Sequence, residues 1–298
     1  MDTITRLIEL ARPAATVDKR CLLAGTTEMK IAPYGDTEAA FHFVLAGECT
    51  LELPGRTVQL KAGDAVLLAS SPSHTIRTPG AGRVRPSVQT PGTAFDTIRS
   101  PSDEEPVTDI FCGRYTVGSR SGGLLFRSLP DPLVVSFDPD DEAVRTVSTL
   151  MRVEALAEGP GTAAILNALS CALFAMMLRR GDLAGVAPWT AVTDSRIAAG
   201  IDAVLQDPGA DWTVERLAEV AAMSRATFVR HFGRHTGTTV AGFVTTVRMM
   251  VAADLLTDRD LTVAVVADRV GYHSESAFTK AFRDATGQTP GRFRRGIS

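Results

Sequence analysis

Cysteine is scarce and scattered in this sequence. Cys21, Cys49, Cys112 and Cys171 are the four in 298 residues, and no two form a CxxC pair. Such spacing gives no disulfide framework and no paired-knuckle zinc motif. Long apolar runs are also missing: no stretch of about 18 uncharged apolar residues appears, so no transmembrane helix and no membrane partner are expected. The start, MDTITRLIELARPAATVDK, is broken by charge and lacks the apolar core of a secretory signal. The expected location is therefore the cytoplasm. Excess charge is lacking as well, with a net value of −3. That average hides an asymmetry. From Arg196 onward 13 Lys and Arg stand against 11 Asp and Glu, a balance of +2, which leaves −5 for the rest. An acidic first part beside a mildly basic last part confines any affinity for phosphates to the last part.

What is present divides along the chain. EAAFHFVLA, ECTLEL, RTVQL and AVLLA, between residues 38 and 78, are short strand-like runs separated by Gly47, Pro54-Gly55 and Gly63-Asp64. They predict a small sandwich or barrel. Residues 78–106, rich in Pro, Gly, Ser and Thr, read as a mobile loop. DIFCGRYTV and LLFRSL read as further strands. After Asp138-Pro139 the pattern becomes helical in DDEAVRTVSTLMRVEALAE and GTAAILNALSCALFAMMLRR. Ile165, Leu166, Leu169, Leu173, Met176 and Met177 recur at helical spacing. That stripe fits either packing on the chain's own sheet or formation of a homodimer. Gly181 to Thr193 reads as a linker.

The last hundred residues contain a repeat. SRATFVRHFGRHTG from Ser224 aligns with SESAFTKAFRDATG from Ser274. Ser224 and Ser274 are placed to cap helices. Phe228 and Phe232, like Phe278 and Phe282, lie four apart and share an inward face. Gly237 and Gly287 end the helices. Upstream, Val214, Leu217, Ala218 and Ala221 form one apolar face, followed by a turn at Ala222-Met223. Val263, Val266, Ala267 and Val270 form the other, with a turn at Gly271. The pattern predicts helix-turn-helix units at about 214–236 and 263–287. Arg225, Ala226, Val229, Arg230 and Arg234 then face outward in the first unit, and Glu275, Ser276, Thr279, Lys280 and Arg283 in the second. Arg and Lys can reach guanine O6 and N7, Glu can accept from cytosine N4, and others can fix register on phosphate. TTVAGFVTTVRMMVAADLLTD between them, with Val240, Phe243, Val244, Val247, Met250 and Leu255, predicts one continuous helix that spaces the two readers. Readers about 34 Å apart can enter successive major grooves of double-stranded DNA.

LAEVAAMSRATFVRHF, RMMVAADLL and VADRVGYHSESAFTKAFRDATGQTPGRFRR resemble the DNA-binding domain of AraC/XylS-family regulators, over about a third of the chain. AFHFVLAGECTLEL, KAGDAVLLASSPSH and IFCGRYTV resemble the cupin-like sensor domain of some of these regulators. Asp18-Lys19-Arg20-Cys21 is similar to the branch typified by RclR, which responds to reactive oxidants. The resemblance implies an α+β multidomain chain. A cupin-like β-barrel sensor would occupy 1–137, a helical dimerisation segment 138–182, a linker 183–193, and an all-α DNA-binding domain 194–298. It implies a homodimeric transcription regulator, activator or repressor, that binds promoter DNA, with RNA polymerase as a further partner and no enzyme activity. Cupin enzymes use a His-x-His pair, a Glu and a distant His; here Phe41-His42-Phe43 supplies one His and His74 the other. Two readings of the interior stay open. His42, His74, Cys112 and Cys21 form a candidate zinc set. Alternatively, Cys21 or Cys112 is a low-pKa redox thiol. Cys49 and Cys171 read as structural, and a small organic effector is the third possibility. A catalytic cupin with a helical appendage and an architectural DNA binder are the rival classes.

Overall fold

A computed structural model of the chain describes residues 3–295 apart from 36, 71, 81, 102–103, 118–121, 139 and 181–193. Contacts divide it into two compact units. The first comprises Ala14–Thr116 and Asp131–Met177; the second comprises Met1–Pro13, Val117–Pro130 and Leu178–Ser298.

The first unit is built on two sheets. Strands β1 (Pro13–Leu23), β3 (Glu38–Ala46), β6 (Asp64–Leu68), β9 (Val88–Thr90), β10 (Asp96–Arg99), β11 (Thr108–Val117) and β12 (Leu133–Ser136) form the larger, in the order β12-β6-β3-β11-β1-β10-β9. Strands β2 (Thr27–Ile31), β4 (Glu48–Leu53), β5 (Arg56–Lys61), β7 (His74–Arg77) and β8 (Arg85–Pro86) form the smaller, in the order β5-β4-β7-β2-β8. Cys21, Val44, Val66 and Cys112 of the larger sheet share one core with Met29, Leu51 and Ile76 of the smaller. The two sheets remain separate, so of the sandwich or barrel expected for this cupin-like region the chain forms the sandwich. Strand β3 is buried on both faces. That explains why AFHFVLA shows no apolar–polar alternation. Its even positions meet the smaller sheet. On the opposite face of the larger sheet Tyr115 donates to the Ser170 carbonyl at 2.7 Å, and its ring lies 5.0 Å from Phe174. Ser170 and Phe174 belong to helix α4 (Thr162–Arg179), which follows helix α3 (Glu142–Ala157), capped by Asp141.

Helix α4 is long and apolar enough to cross a membrane by length and composition. It nevertheless buries Leu166, Leu173, Phe174 and Met177 as a core helix. Of the stripe that fits either packing on the chain's own sheet or a homodimer, Leu166, Leu173 and Met177 are buried and Ile165 is exposed. On these two helices the exposed large apolar side chains are Leu150, Val153 and Leu156 of α3 and Ile165 of α4.

The second unit is helical. It contains α1 (Thr3–Ala11), α2 (Gly122–Ser128), α5 (Ser195–Gln206), α6 (Val214–Val220), α7 (Arg225–Thr236), α8 (Val240–Leu255), α9 (Val263–Arg269), α10 (Glu275–Thr286) and α11 (Pro290–Arg295). Helix α1 packs on α2, α5 and α8, and α2 packs on α8. Two helices from the part of the chain read as sensor, α1 and α2, therefore group with the helices of the second unit. The LLFRSL run is α2 and not a strand; a short apolar run carries no period, so its neighbours decide. Residues 78–106 hold β8, β9 and β10 where a bare loop was expected. The linker 183–193 lies outside the described residues.

Candidate nucleic-acid interface and signal site

Each helix-turn-helix unit is set by its caps. Ser224 accepts from Thr227 N and Ser274 from Ala277 N, both at 3.2 Å. Gly237 and Gly287 close α7 and α10 in the left-handed region at φ 66° and 76°. The inward phenylalanines repeat almost identically: ring centroids are 5.5 Å apart for Phe228–Phe232 and 5.6 Å for Phe278–Phe282. All four are buried. The turns match as well. Met223 N bonds Ala218 O and Tyr272 N bonds Ala267 O, each at 2.9 Å.

Burying those rings turns the opposite faces outward. Arg225, Ala226, Val229, Arg230 and Arg234 on α7 are exposed, as are Glu275, Ser276, Lys280 and Arg283 on α10; Thr279 is half-buried. The cations differ in availability. Arg225 pairs with Glu215 at 2.8 Å and Lys280 with Asp284 at 2.8 Å. Arg230, Arg234 and Arg283 make no ion pair among the described residues. The Lys280 ammonium holds the Asp284 carboxyl below its ordinary range.

Sequence reasoning missed Arg248 on α8. Its Nε donates to Pro208 O at 3.0 Å and its Nη2 to Ala210 O at 2.9 Å, and the guanidinium lies 5.6 Å from the Tyr272 ring centroid. One side chain therefore joins the α5–α6 turn to the turn of the second reader. The backbones meet there too. A Cβ on Gly209 would lie 2.5 Å from Arg269 O, and one on Gly271 would lie 2.6 Å from Gly209 O. An Arg inside a helix carries no sequence mark of this role; the run RMMVAADLL was the nearest signal.

In the sandwich unit the structure sorts the four residues of the expected metal set into two pairs. His42 of β3 and His74 of β7 face each other across the sheets, with Nε2 atoms 2.8 Å apart. His74 Nδ1 lies 2.7 Å from the Pro72 carbonyl. That carbonyl can only accept, so Nδ1 carries the proton and His74 Nε2 accepts from His42. His42 Nδ1 is left buried without a partner. Burial lowers the pKa of both rings, His42 well below 6.5 with His74 adding to the effect. Cys21 Sγ lies 3.7 Å from Cys112 Sγ and 3.4 Å from Met29 Sδ, a cluster of three buried sulfurs. Cys112 stands opposite His42 in the β3–β11 register. Burial pushes the Cys112 thiol well up, with Cys21 adding to it, which reverses the expectation of a low-pKa thiol there. Cys49 is buried and pushed up to about 12, consistent with a structural role.

Asp18 and Arg20 of the Asp18–Cys21 run have defined partners. Asp18 binds the Tyr34 hydroxyl and the Arg114 guanidinium. Arg20 is buried, pairs with Asp109 at 3.0 Å and lies over Phe111. Asp18, Lys19, Tyr34, Phe95, Asp96 and Arg114 line a cavity of about 490 Å³.

Capped twin reader helices beside a two-sheet sandwich define a DNA-binding transcription regulator. The cupin family description matches residues 2–181 and a helix-turn-helix domain description matches residues 217–296. The chain belongs to the AraC-type, cupin-containing DNA-binding transcription regulators. It is 31% identical to the RCS-specific HTH-type transcriptional activator RclR of Escherichia coli K12, over 99% of this chain and 97% of that one. It is 31% identical to a putative AraC-like transcription regulator of Streptomyces lividans, over 86% of each chain. A solved DNA-binding domain of AdpA in complex with a target DNA is 34% identical over 34% of this chain and 91% of that one, with a TM-score of 0.33.

Proposed function

We propose that this regulator is an oxidant-responsive activator that reads promoter DNA with α7 and α10. The sulfur cluster of Cys21, Met29 and Cys112 carries the signal half of this reading. Burial keeps Cys112 protonated, which disfavours oxidants that need a thiolate. A small uncharged electrophile of the hypohalous acid class attacks neutral thiols and enters a closed core. One thiol takes the halogen on sulfur and releases water. The other thiol then displaces halide, the S–S bond forms and a proton leaves. Two electrons pass from the sulfurs to the oxidant. The RCS-specific activator of E. coli, to which this chain is similar, agrees with this class. Hypochlorite added in equimolar amount should change operator affinity in the wild type and leave Cys21→Ser and Cys112→Ser unchanged. A full response in both variants overturns the reading.

A zinc reading of the same interior rests on the converging Nε2 atoms of His42 and His74. It requires Cys21 or Cys112 to swing towards them. Elemental mass spectrometry decides it: about one zinc per chain, lost in His42→Ala and His74→Ala, supports it, and none removes it.

On the DNA, Arg230, Arg234 and Arg283 are the contacts offered without breaking an ion pair, and Arg225 and Lys280 must exchange theirs. Ala226, Val229, Ser276 and Thr279 suit base edges or thymine methyls, and Glu275 suits cytosine N4. Homodimerisation would use the exposed apolar side chains Leu150, Val153 and Leu156 of α3, because such a stripe favours cover by a second copy. Leu156→Glu should yield monomers in sedimentation; an unchanged dimer excludes that face. In the cytoplasm, RNA polymerase would be the partner of the DNA-bound form.

A further inference from the structure

Asp194, His231 and His235 bring three ligand atoms within 4.8 Å of one another, at the start of α5 and on α7. No such group of three or more His, Cys, Asp or Glu occurs elsewhere among the described residues. Position explains the convergence. His231 and His235 are four apart, so one face of α7 carries both, with ring centroids 6.2 Å apart. Asp194 caps α5 and presents its Oδ2 at 3.7 Å from His231 Nδ1. That nitrogen is buried and makes no hydrogen bond. A buried imidazole nitrogen left bare beside a carboxylate is a donor atom without a use inside the protein.

We propose that Asp194, His231 and His235 form a binding site for a borderline divalent cation of the zinc class. Two imidazoles and one carboxylate suit zinc, cobalt and nickel better than calcium or magnesium, which take all-oxygen shells. Tetrahedral zinc at about 2.0–2.1 Å from each ligand needs ligand atoms roughly 3.4 Å apart, so small rotamer changes close the set. All three residues are half-buried, which leaves the fourth position to water. Arg196 competes: it donates to both Asp194 oxygens, at 3.1 and 2.9 Å, and holds that carboxyl below its ordinary range. Its side chain is 54% exposed and free to swing away. A bound ion would tie the first reader helix to the cap of α5. The site is separate from the sulfur cluster and from His42 and His74.

The test uses the full chain, reduced, stripped with chelator and desalted, with Co²⁺ or Zn²⁺ as the probe. Cobalt titration followed by visible absorption should show one equivalent with nitrogen and oxygen ligands and no thiolate charge-transfer band. That equivalent should vanish in His231→Ala and in His235→Gln, with circular dichroism showing both folded, and should persist in His74→Gln. Arg196→Ala should bind about tenfold more tightly, a gain that a purely structural carboxylate–histidine contact does not produce. An equivalent retained in both the His231 and His235 variants, or no binding by wild type at micromolar metal, overturns the proposal.

Discussion

Ala222 and Gly271 hold the same place in the two reader turns, and both lie at positive φ, 49° and 76°. Only one of them is the residue that this backbone prefers. Alanine in the left-handed region costs roughly 1–2 kcal/mol, and glycine returns part of that as lost chain entropy. Ala222→Gly should therefore stabilise the first unit by about 0.5–1 kcal/mol, seen as a higher melting temperature. Gly271→Ala should do the reverse. Its new Cβ would lie 2.6 Å from Gly209 O and 2.7 Å from Arg248 Nη2. A loss of about 1–3 kcal/mol is expected, read by the same melt. Substitutions on the outer faces should leave stability alone and act on DNA. Arg230→Ala should weaken operator binding by about 1–3 kcal/mol if it contacts a base edge. Lys280→Ala should cost less, because Lys280 must first leave Asp284. Anisotropy titrations at fixed salt check both, and equal losses would contradict that ordering.

At the scale of elements, α8 and its Arg248 decide how the two readers are spaced. Arg248→Ala removes the link from α8 to Pro208, Ala210 and the Tyr272 ring while leaving both phenylalanine cores intact. Each unit should stay folded, yet operator affinity should fall about tenfold, near 1.4 kcal/mol. An isolated half-site should be bound almost as before. Phe282→Ala, by contrast, empties a fully buried site and should cost about 3–5 kcal/mol of stability. The reader helices were legible in the sequence because a 3.6-residue period, a Ser cap and a Gly stop coincide twice, fifty residues apart. Helix α2 was not legible: LLFRSL is equally apolar as strand or helix, and its packing on α8 selects helix. Strand β1 escaped notice because PAATVDKRCLL mixes inward cysteine and leucine with Asp18, Lys19 and Arg20, and the ion-pair partners of Asp18 and Arg20 lie on distant β11.

For the whole molecule, α1 is a structural part of the helical unit. Leu7 is fully buried, and Arg12 reaches Asp254 at 3.5 Å. Leu7→Ala should cost about 2–5 kcal/mol and speed amide exchange in α8. Unchanged exchange there would place α1 outside that unit. The sandwich unit should answer to pH instead. Burial holds His42 and His74 below their ordinary value of 6.5, so below about pH 6.5 the unfolded chain binds more protons than the folded one. Stability should then fall as pH drops through that value, and it should be fully present above it. Melting curves between about pH 7.5 and about pH 5.5 test this, and His74→Gln should flatten the slope.

The sequence by itself determined the twin readers, their caps, their inward rings and the list of outward side chains. All of these follow from contacts within about a dozen residues, and local periodicity records such contacts. Tertiary structure decided the rest. It set Cys21 beside Cys112 across 91 residues, His42 against His74 across two sheets, and α1 among helices near the other end of the chain. Those juxtapositions depend on sheet order and packing, in which residues far apart in sequence become neighbours only after the chain between them has folded.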